Sequence, residues 1–250
     1  AFHGAARTVT GSKHLLTFSN GKKILLDCGM FQGMGLETDE MNKEWGFEPS
    51  EIDYLILSHA HIDHCGLIPK LIKDGYEGNI YATPATKDLA SILMEDSAGI
   101  QESDTKFANK RRAQMGLPYL TPLYNKEDAL IAADRFITVE YNHWFTIEPG
   151  IEFCYTDAGH IIGSACVHVR ITENGKRRQV TFSGDVGRYR DIILKSPAVF
   201  EQADFIIIES TYGNSLHDEH HPTSDALLEW IEKTCLQKKG KLLLPAFSVG

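Results

Sequence analysis

Cysteine is sparse: five in 250 residues, odd in number and without regular spacing. That excludes a disulfide framework and fits a reducing compartment. No apolar run approaches the length of a membrane span, and no charged, apolar, small-residue start reads as a signal peptide. A cytoplasmic protein is the expectation. Positive charge is also short, with 25 Lys and Arg against 34 Asp and Glu, a net charge of −9. Such a balance opposes non-specific binding to nucleic acid, whose affinity comes mainly from neutralised phosphates. It leaves room for an enzyme acting on nucleic acid, because bound divalent cations reverse the local sign. Repeats and low-complexity segments are absent as well. The hydrophobic fraction, 42%, is ordinary, enough for a sizeable core in one large domain or one domain and part of another.

The chain alternates strand and helix signals. "HLLTF" (14–18), "KKILLDCG" (22–29), "DYLILS" (53–58) and "NIYAT" (79–83) read as strands. A helix follows "DYLILS" from near Cys65 to Lys73, stopped by Gly75, and Thr83-Pro84 opens a longer one. Residues 101–135 are polar and read as helical in pieces, with Asn125 as a cap. Residues 137–185 are β-rich, with a hairpin at Asn174-Gly175. "DFIIIES" (204–210) reads as a strand buried on both faces, Thr223 to Lys238 as an amphipathic helix, and Lys241 to Leu244 as another buried strand. This order predicts layered α/β with sheets sandwiched between helices. The chain opens inside "FHGAARTVTGS" and stops at "KLLLPAFSVG", which reads as a piece of a longer protein.

The chemistry concentrates in "LILSHAHIDHCGLIP", where His59, His61, Asp63 and His64 fall within six positions after an apolar strand. Imidazole and carboxylate are ligands for borderline cations such as Zn²⁺. His59 and His61, two apart on extended backbone, leave on the same side and can share one metal. Asp63 and His64, where the chain turns, could bind a second. A closed structural zinc site recruits paired cysteines, and Cys65 is alone here. Further polar residues lie at strand ends beside glycines: Asp27 in "LLDCG", His160 in "TDAGHIIGS" and Asp185 in "TFSGDVG". Taken singly, each could equally be a turn former. The basic clusters Lys106, Lys110, Arg111, Arg112 and Lys176, Arg177, Arg178 read as solvated surface, as do His217, His220 and His221 in "LHDEHHP". For His217 a substrate role stands as the alternative. His3, His14, His143 and His168 read as structural.

"LLDCG", "HAHIDH", "AGHIIGS" and "SGDVG", in this order, resemble the metallo-β-lactamase superfamily. Glu209 in "IIIESTYGNSLH" and the ending "LLLPAFSVG" narrow the resemblance to its β-CASP branch of RNA- and DNA-processing nucleases. The resemblance implies a four-layer αβ/βα sandwich over residues 1–210, then the beginning of a β-CASP domain over 211–250. It implies two divalent metals, Zn²⁺ first, with Mn²⁺ or Fe as alternatives. His59, His61 and His160 would bind one metal and Asp63 and His64 the other, with Asp185 bridging and Asp27 orienting a ligand from outside. Glu209 would work with a general-acid histidine which, like one more metal-binding histidine, belongs to family motifs beyond residue 250.

The reaction so implied is attack of a metal-bridged hydroxide on a phosphodiester, most naturally in single-stranded RNA during RNA processing or decay, with Asp63, Asp185 and Glu209 as catalytic carboxylates. The N-terminus of the helix near Cys65 would favour an anion at the site. DNA as substrate, an acyl or thioester hydrolase, and a non-catalytic scaffold of an RNA-processing complex stand as alternatives. A homodimer stays open.

Overall fold

The computed structural model describes residues 1–33, 35–173, 175–216 and 223–249. The chain divides into two compact units, Ala1–Glu209 and Ser210–Gly250. The first unit is built on two five-stranded sheets. One runs β1 (His14–Thr17), β2 (Lys23–Leu26), β3 (Tyr54–Ile56), β4 (Ile80–Ala82), β5 (Phe136–Thr138) in that order, with β1 antiparallel and the rest parallel. The other runs in the order β10, β9, β8, β7, β6. Its strands are β6 (Phe145–Glu148), β7 (Ile151–Asp157), β8 (Ala165–Glu173), β9 (Lys176–Phe182) and β10 (Phe205–Ile207). This second sheet is antiparallel except for the β9–β10 pair.

The sheets meet face to face. Ile24, Leu26, Ile56 and Tyr81 from the first pack with Phe153, Tyr155, Val167, Val169 and Phe182 from the second in one core. Period-two alternation explains the selection: Phe153 and Tyr155 point inward, while Glu152 and Thr156 leave on the other face. In the first sheet Leu25, Leu55 and Leu57 are buried too, so its strands are covered on both faces and read as unbroken apolar runs. The helices of this unit are α1 (Leu36–Lys43), α2 (Ile62–Cys65), α3 (Ile68–Lys73), α4 (Pro84–Gln114) and α5 (Lys126–Asp134). The fold is the layered mixed α/β arrangement that the sequence predicts.

Several local signals act as expected. Thr83 caps α4 by accepting the Thr86 amide, with Pro84 at the first helical position. Asn125 and Asp128 close a reciprocal capping box on α5. Three expectations need correction. The helix after β3 starts at Ile62, not near Cys65, and breaks at Gly66–Leu67 into two short pieces. Asp63 and His64 therefore lie on a single helical turn, whose dipole is too short to attract an anion by itself. β10 is an edge strand with Phe205 and Ile206 more than half exposed, not a strand buried on both faces, because only β9 pairs with it. Finally, Lys241–Leu244 forms no strand: Leu243 and Leu244 are exposed, and no described segment offers them a ladder. The second unit contains α6 (Thr223–Ile231), continued by a wider π-type turn over Glu232–Gln237. Asn174 of the expected hairpin turn, and His217, His220 and His221, lie outside the described residues.

The outer face of the second sheet holds His168, 3% exposed, between Thr156 and Thr181 at 2.9 and 3.0 Å from its two ring nitrogens. Burial lowers its pKa from 6.5 to about 4. Between those values the unfolded chain takes up a proton that the folded one refuses. Stability is therefore full above pH 6.5 and falls as pH drops towards 4, by about 3 kcal/mol for this group. Urea unfolding of the chelator-treated protein at pH 7 and pH 4.5 should show that loss. His168→Gln, which keeps a hydrogen-bonding group but cannot titrate, should recover most of that component; an unchanged acid slope would show that His168 does not contribute to it.

Candidate metal centre

The four sequence segments arrive at one end of the facing sheets. Asp27 follows β2, His59 and His61 follow β3, His160 sits in the turn between β7 and β8, and Asp185 follows β9. Three imidazole nitrogens converge: His59 Nε2 and His160 Nε2 each lie 3.1 Å from His61 Nδ1. Asp185 Oδ2 approaches them at 3.8 Å from His59 Nε2 and 3.5 Å from His160 Nε2. Ligand atoms of these four residues all fall within 4.8 Å of one another. The other oxygen, Asp185 Oδ1, lies 3.3 Å from His64 Nε2, which is 3.8 Å from Asp63 Oδ2. One carboxylate thus faces two sets of donors, His59/His61/His160 on one side and Asp63/His64 on the other.

These donors fit divalent cations. In a tetrahedral centre with bonds of 2.0–2.1 Å, neighbouring donors are about 3.3 Å apart. The spacing among the three histidines and Asp185 brackets that value. Electrostatics agrees. Burial, reinforced by His64, His160 and His61, holds the His59 pKa well below 6.5, which keeps the ring neutral and its lone pair available. Burial raises the pKa of Asp63. At Asp185 burial acts upward too, but the hydrogen bond and charge of His64 outweigh it and lower the pKa. Burial also lowers the pKa of His64, yet Asp27 and Asp185 drive it well above the ordinary value. A proton on His64 here neutralises a carboxylate-rich pocket, a task that a cation can take over. The nearby thiols do not compete: burial pushes Cys28 up to about 12 and Cys65 well above its ordinary value.

Asp27 is fully buried and touches none of the converging nitrogens. Its Oδ2 accepts from His64 Nδ1 at 2.6 Å and from Ser58 Oγ at 2.8 Å, and its Oδ1 accepts the Ser58 amide at 2.7 Å. Ser58 Oγ lies 3.0 Å from His59 Nδ1. A hydroxyl that donates to a carboxylate has only acceptor capacity left, so Ser58 receives the His59 Nδ1 proton and leaves Nε2 facing the cluster. Ser58 was invisible as a functional residue in the sequence, although it directly precedes the histidine motif. Its signal was its position, a hydroxyl one residue before a ligand on extended backbone.

The turns are held equally tightly. The amides of Ser12 and Met30 bond to the carbonyls of Asp63 and Ile62, and Cys28 bonds to that of His64. A side chain on Gly29 would lie 1.6 Å from the Asp63 carbonyl oxygen, and one on Gly187 would lie 1.7 Å from the Gly159 carbonyl. Glycine is required at both close approaches. Ser164 Oγ accepts the amides of His160 and Ile161, which shapes the His160 turn. Glu209 lies beside the histidine cluster. Its Oε1 accepts the Val186 amide at 2.8 Å, fixing the turn that presents Asp185.

With fold and centre described, the class is plain: the chain belongs to the metallo-β-lactamase superfamily, whose family profile matches residues 12–244. Its relatives fall in the β-CASP branch. It is 37% identical over 246 residues to Ribonuclease TTHA0252 of Thermus thermophilus, covering 98% of this chain and 51% of that protein. It is 32% identical over 257 residues to Transcription termination factor FttA of Methanococcus maripaludis, covering 100% of this chain and 37% of that protein. It is 30% identical over 249 residues to Cleavage and polyadenylation specificity factor 73 of Drosophila melanogaster, covering 99% and 33%. The chain therefore spans about half, or less, of the length of these relatives. The superfamily uses divalent metals, in keeping with the His/Asp cluster.

The geometry ranks three substitutions. Asp185→Asn removes the charge facing both donor sets and should abolish one cation and weaken the other. Asp27→Asn weakens the orientation of His64 and Ser58 and should cost about 10–100-fold in metal affinity. Ser58→Ala, which releases only His59, should cost about tenfold. Competition of each variant with a chromogenic chelator gives the order directly; an Asp27 variant weaker than the Asp185 variant would overturn it.

Proposed function

We propose that this protein is a metal-dependent ribonuclease of the β-CASP branch that cleaves phosphodiester bonds in single-stranded RNA. The observation that carries the reading is Asp185, whose two oxygens face two separate donor sets at one sheet end. A paired site of that form suits phosphodiester hydrolysis, where an attacking and a leaving oxygen both need stabilising. The relatives carry the substrate: one is named a ribonuclease, and others a termination factor and a cleavage and polyadenylation factor.

In this reading His59, His61 and His160 hold one cation and Asp63 and His64 the other, with Asp185 between them. Zn²⁺ suits this imidazole-rich donor set. Two such cations would supply Lewis acidity toward a phosphoryl oxygen and make water a better nucleophile at neutral pH. The chain's own groups do the positioning. Asp27 holds His64 by its Nδ1 and, through Ser58, holds His59 in the tautomer that presents Nε2. Asp63, whose carboxyl is made more basic by burial, is placed to take a proton from an attacking water. Glu209 fixes the Asp185 turn and orients a general acid that protonates the leaving oxygen. Residues 211–250 are read as the beginning of a β-CASP domain. A reducing cytoplasm fits five cysteines that are all free, and no described helix is long and apolar enough to cross a membrane.

The test is direct. Metal-replete protein should carry two ions per chain by elemental analysis and cut end-labelled single-stranded RNA. Chelation should abolish cleavage, and His64→Ala should lower the stoichiometry towards one. One ion per replete chain would refute the paired site. Two ions with hydrolysis of thioesters or lactams but not of RNA would refute the nuclease.

A further inference from the structure

The two basic clusters of the sequence behave differently in the structure. In the second, Arg178 pairs with Asp204 at 3.0 Å and Arg177 pairs with Glu152. In the first, on the C-terminal part of α4, none of Lys106, Lys110, Arg111 and Arg112 has a carboxylate within 4.0 Å among the described residues. Some lysines elsewhere are paired, as Lys22, Lys43 and Lys70 are with Asp53, Glu40 and Asp74, while Lys176 of the second cluster has no such pair among the described residues. Arg111 and Arg112 lie in the last turn of α4, where cations complement the helix dipole. Lys106 and Lys110 lie earlier, four residues apart on one exposed stripe, where the dipole gives no such reason.

That stripe forms a wall of a trough of about 600 Å³, with Tyr119, 70% exposed, also lining it. The trough runs on, through shared lining residues Thr105 and Pro122, into another of about 560 Å³ that ends at Met30 and Phe31. The Met30 amide bonds to the carbonyl of Ile62, on the helical turn that carries Asp63 and His64. The trough therefore leads from the segment flanking the metal-ligand turn to Lys106 and Lys110, which have no carboxylate within 4.0 Å among the described residues, beside Glu102 and an exposed aromatic ring. Free cations track phosphates, and an exposed ring stacks on an unpaired base.

We infer that this α4 trough is a second contact surface for single-stranded RNA, gripping the strand away from the bond that is cut. The inference rests on the nuclease reading for the identity of the strand, but it concerns binding and not chemistry. It follows that Lys106 and Lys110 supply phosphate contacts and Tyr119 a stacking platform. All three side chains are exposed, so their replacement leaves the core intact.

The experiment uses metal-replete protein and a fluorescent 20-nucleotide phosphorothioate single-stranded RNA, read by anisotropy between 50 and 200 mM salt. Lys106→Gln with Lys110→Gln should lower the slope of log affinity against log salt by about 1.4, or about 0.7 per lost contact. Tyr119→Ala should weaken binding about tenfold with little change in that slope. Lys176→Gln with Arg177→Gln should bind as the parent does. Equal affinity and slope for the parent and the Lys106/Lys110 pair would overturn the surface, as would a parent that fails to bind RNA. Hydrolysis of bis(p-nitrophenyl) phosphate, too small to reach the trough, is followed alongside. The α4 variants should keep that activity. A parent that binds RNA through the trough yet hydrolyses no phosphodiester would sink the nuclease reading and leave the surface standing.

Discussion

The carboxylate of Asp27 is the point from which the metal centre is organised. It is fully buried, at a residue with φ of 59°, a left-handed conformation that few residues other than glycine adopt but that Asp tolerates better than most. Four hydrogen bonds hold it: the amide and hydroxyl of Ser58, Nδ1 of His64 and, at 3.4 Å, the hydroxyl of Ser12. A buried charge without such partners would be costly, so these contacts are needed as much by Asp27 as by the centre. Through them one acid fixes a histidine in each donor set. His64 is held directly, and His59 through a hydroxyl that has only acceptor capacity left to offer it. Strain at one backbone position thus stands behind the orientation of a histidine in each donor set, the arrangement expected where a surrounding fold over-determines a functional site.

The sheets make this possible. β2 and β3 are parallel neighbours, with Leu26 opposite Ile56, so the chain leaves both strands at the same edge of the sheet. Asp27 and Ser58 therefore emerge side by side. β7, β8 and β9 of the facing sheet bring His160 and Asp185 to the same end. The glycines close the remaining distance, since Gly29 lets its loop touch the Asp63 carbonyl and Gly187 lets the Asp185 turn touch the His160 turn. None of the centre's residues sits in the middle of a strand. Asp63 and His64 are on the short helical turn α2 and the others on short connections pinned by backbone bonds, and segments so held can be precise without being part of the sheets.

The legible parts of the sequence were those whose signal is local. Apolar runs marked β2 to β4, a Thr-Pro step marked the start of α4, and clustered His and Asp marked the centre. What escaped depended on partners distant in the chain. Nothing local distinguishes "DFIIIES" at an edge from the same run between two neighbours, because burial of a strand is decided by what lies beside it. Nor does "HAHIDH" reveal that its helical turn starts at Ile62, which is set by the pairing of residues 28–30 against it. Ser58 and Glu209 show the same limit from the other side. Ser58 carries no motif although it bridges Asp27 and His59, and Glu209 stands in a motif that points to chemistry while its side chain bonds to the backbone beside Asp185. Likewise the two basic clusters are indistinguishable as sequence, and only ion pairing separates them.

Charge connects the centre to the rest of the chain. A protein of net charge −9 repels a polyanion, and its centre adds three carboxylates, the buried Asp27 and the half-buried Asp63 and Asp185, among four histidines. Without cations, the raised pKa of His64 offsets only part of that charge. In the proposed reading, two divalent ions would contribute four positive charges against three, turning an acidic pocket into one that attracts phosphate. Sign reversal of that kind fades beyond about 8 Å through screening at physiological salt. A strand that extends farther needs cations of the protein's own, and the four on α4 that no carboxylate neutralises among the described residues would provide them.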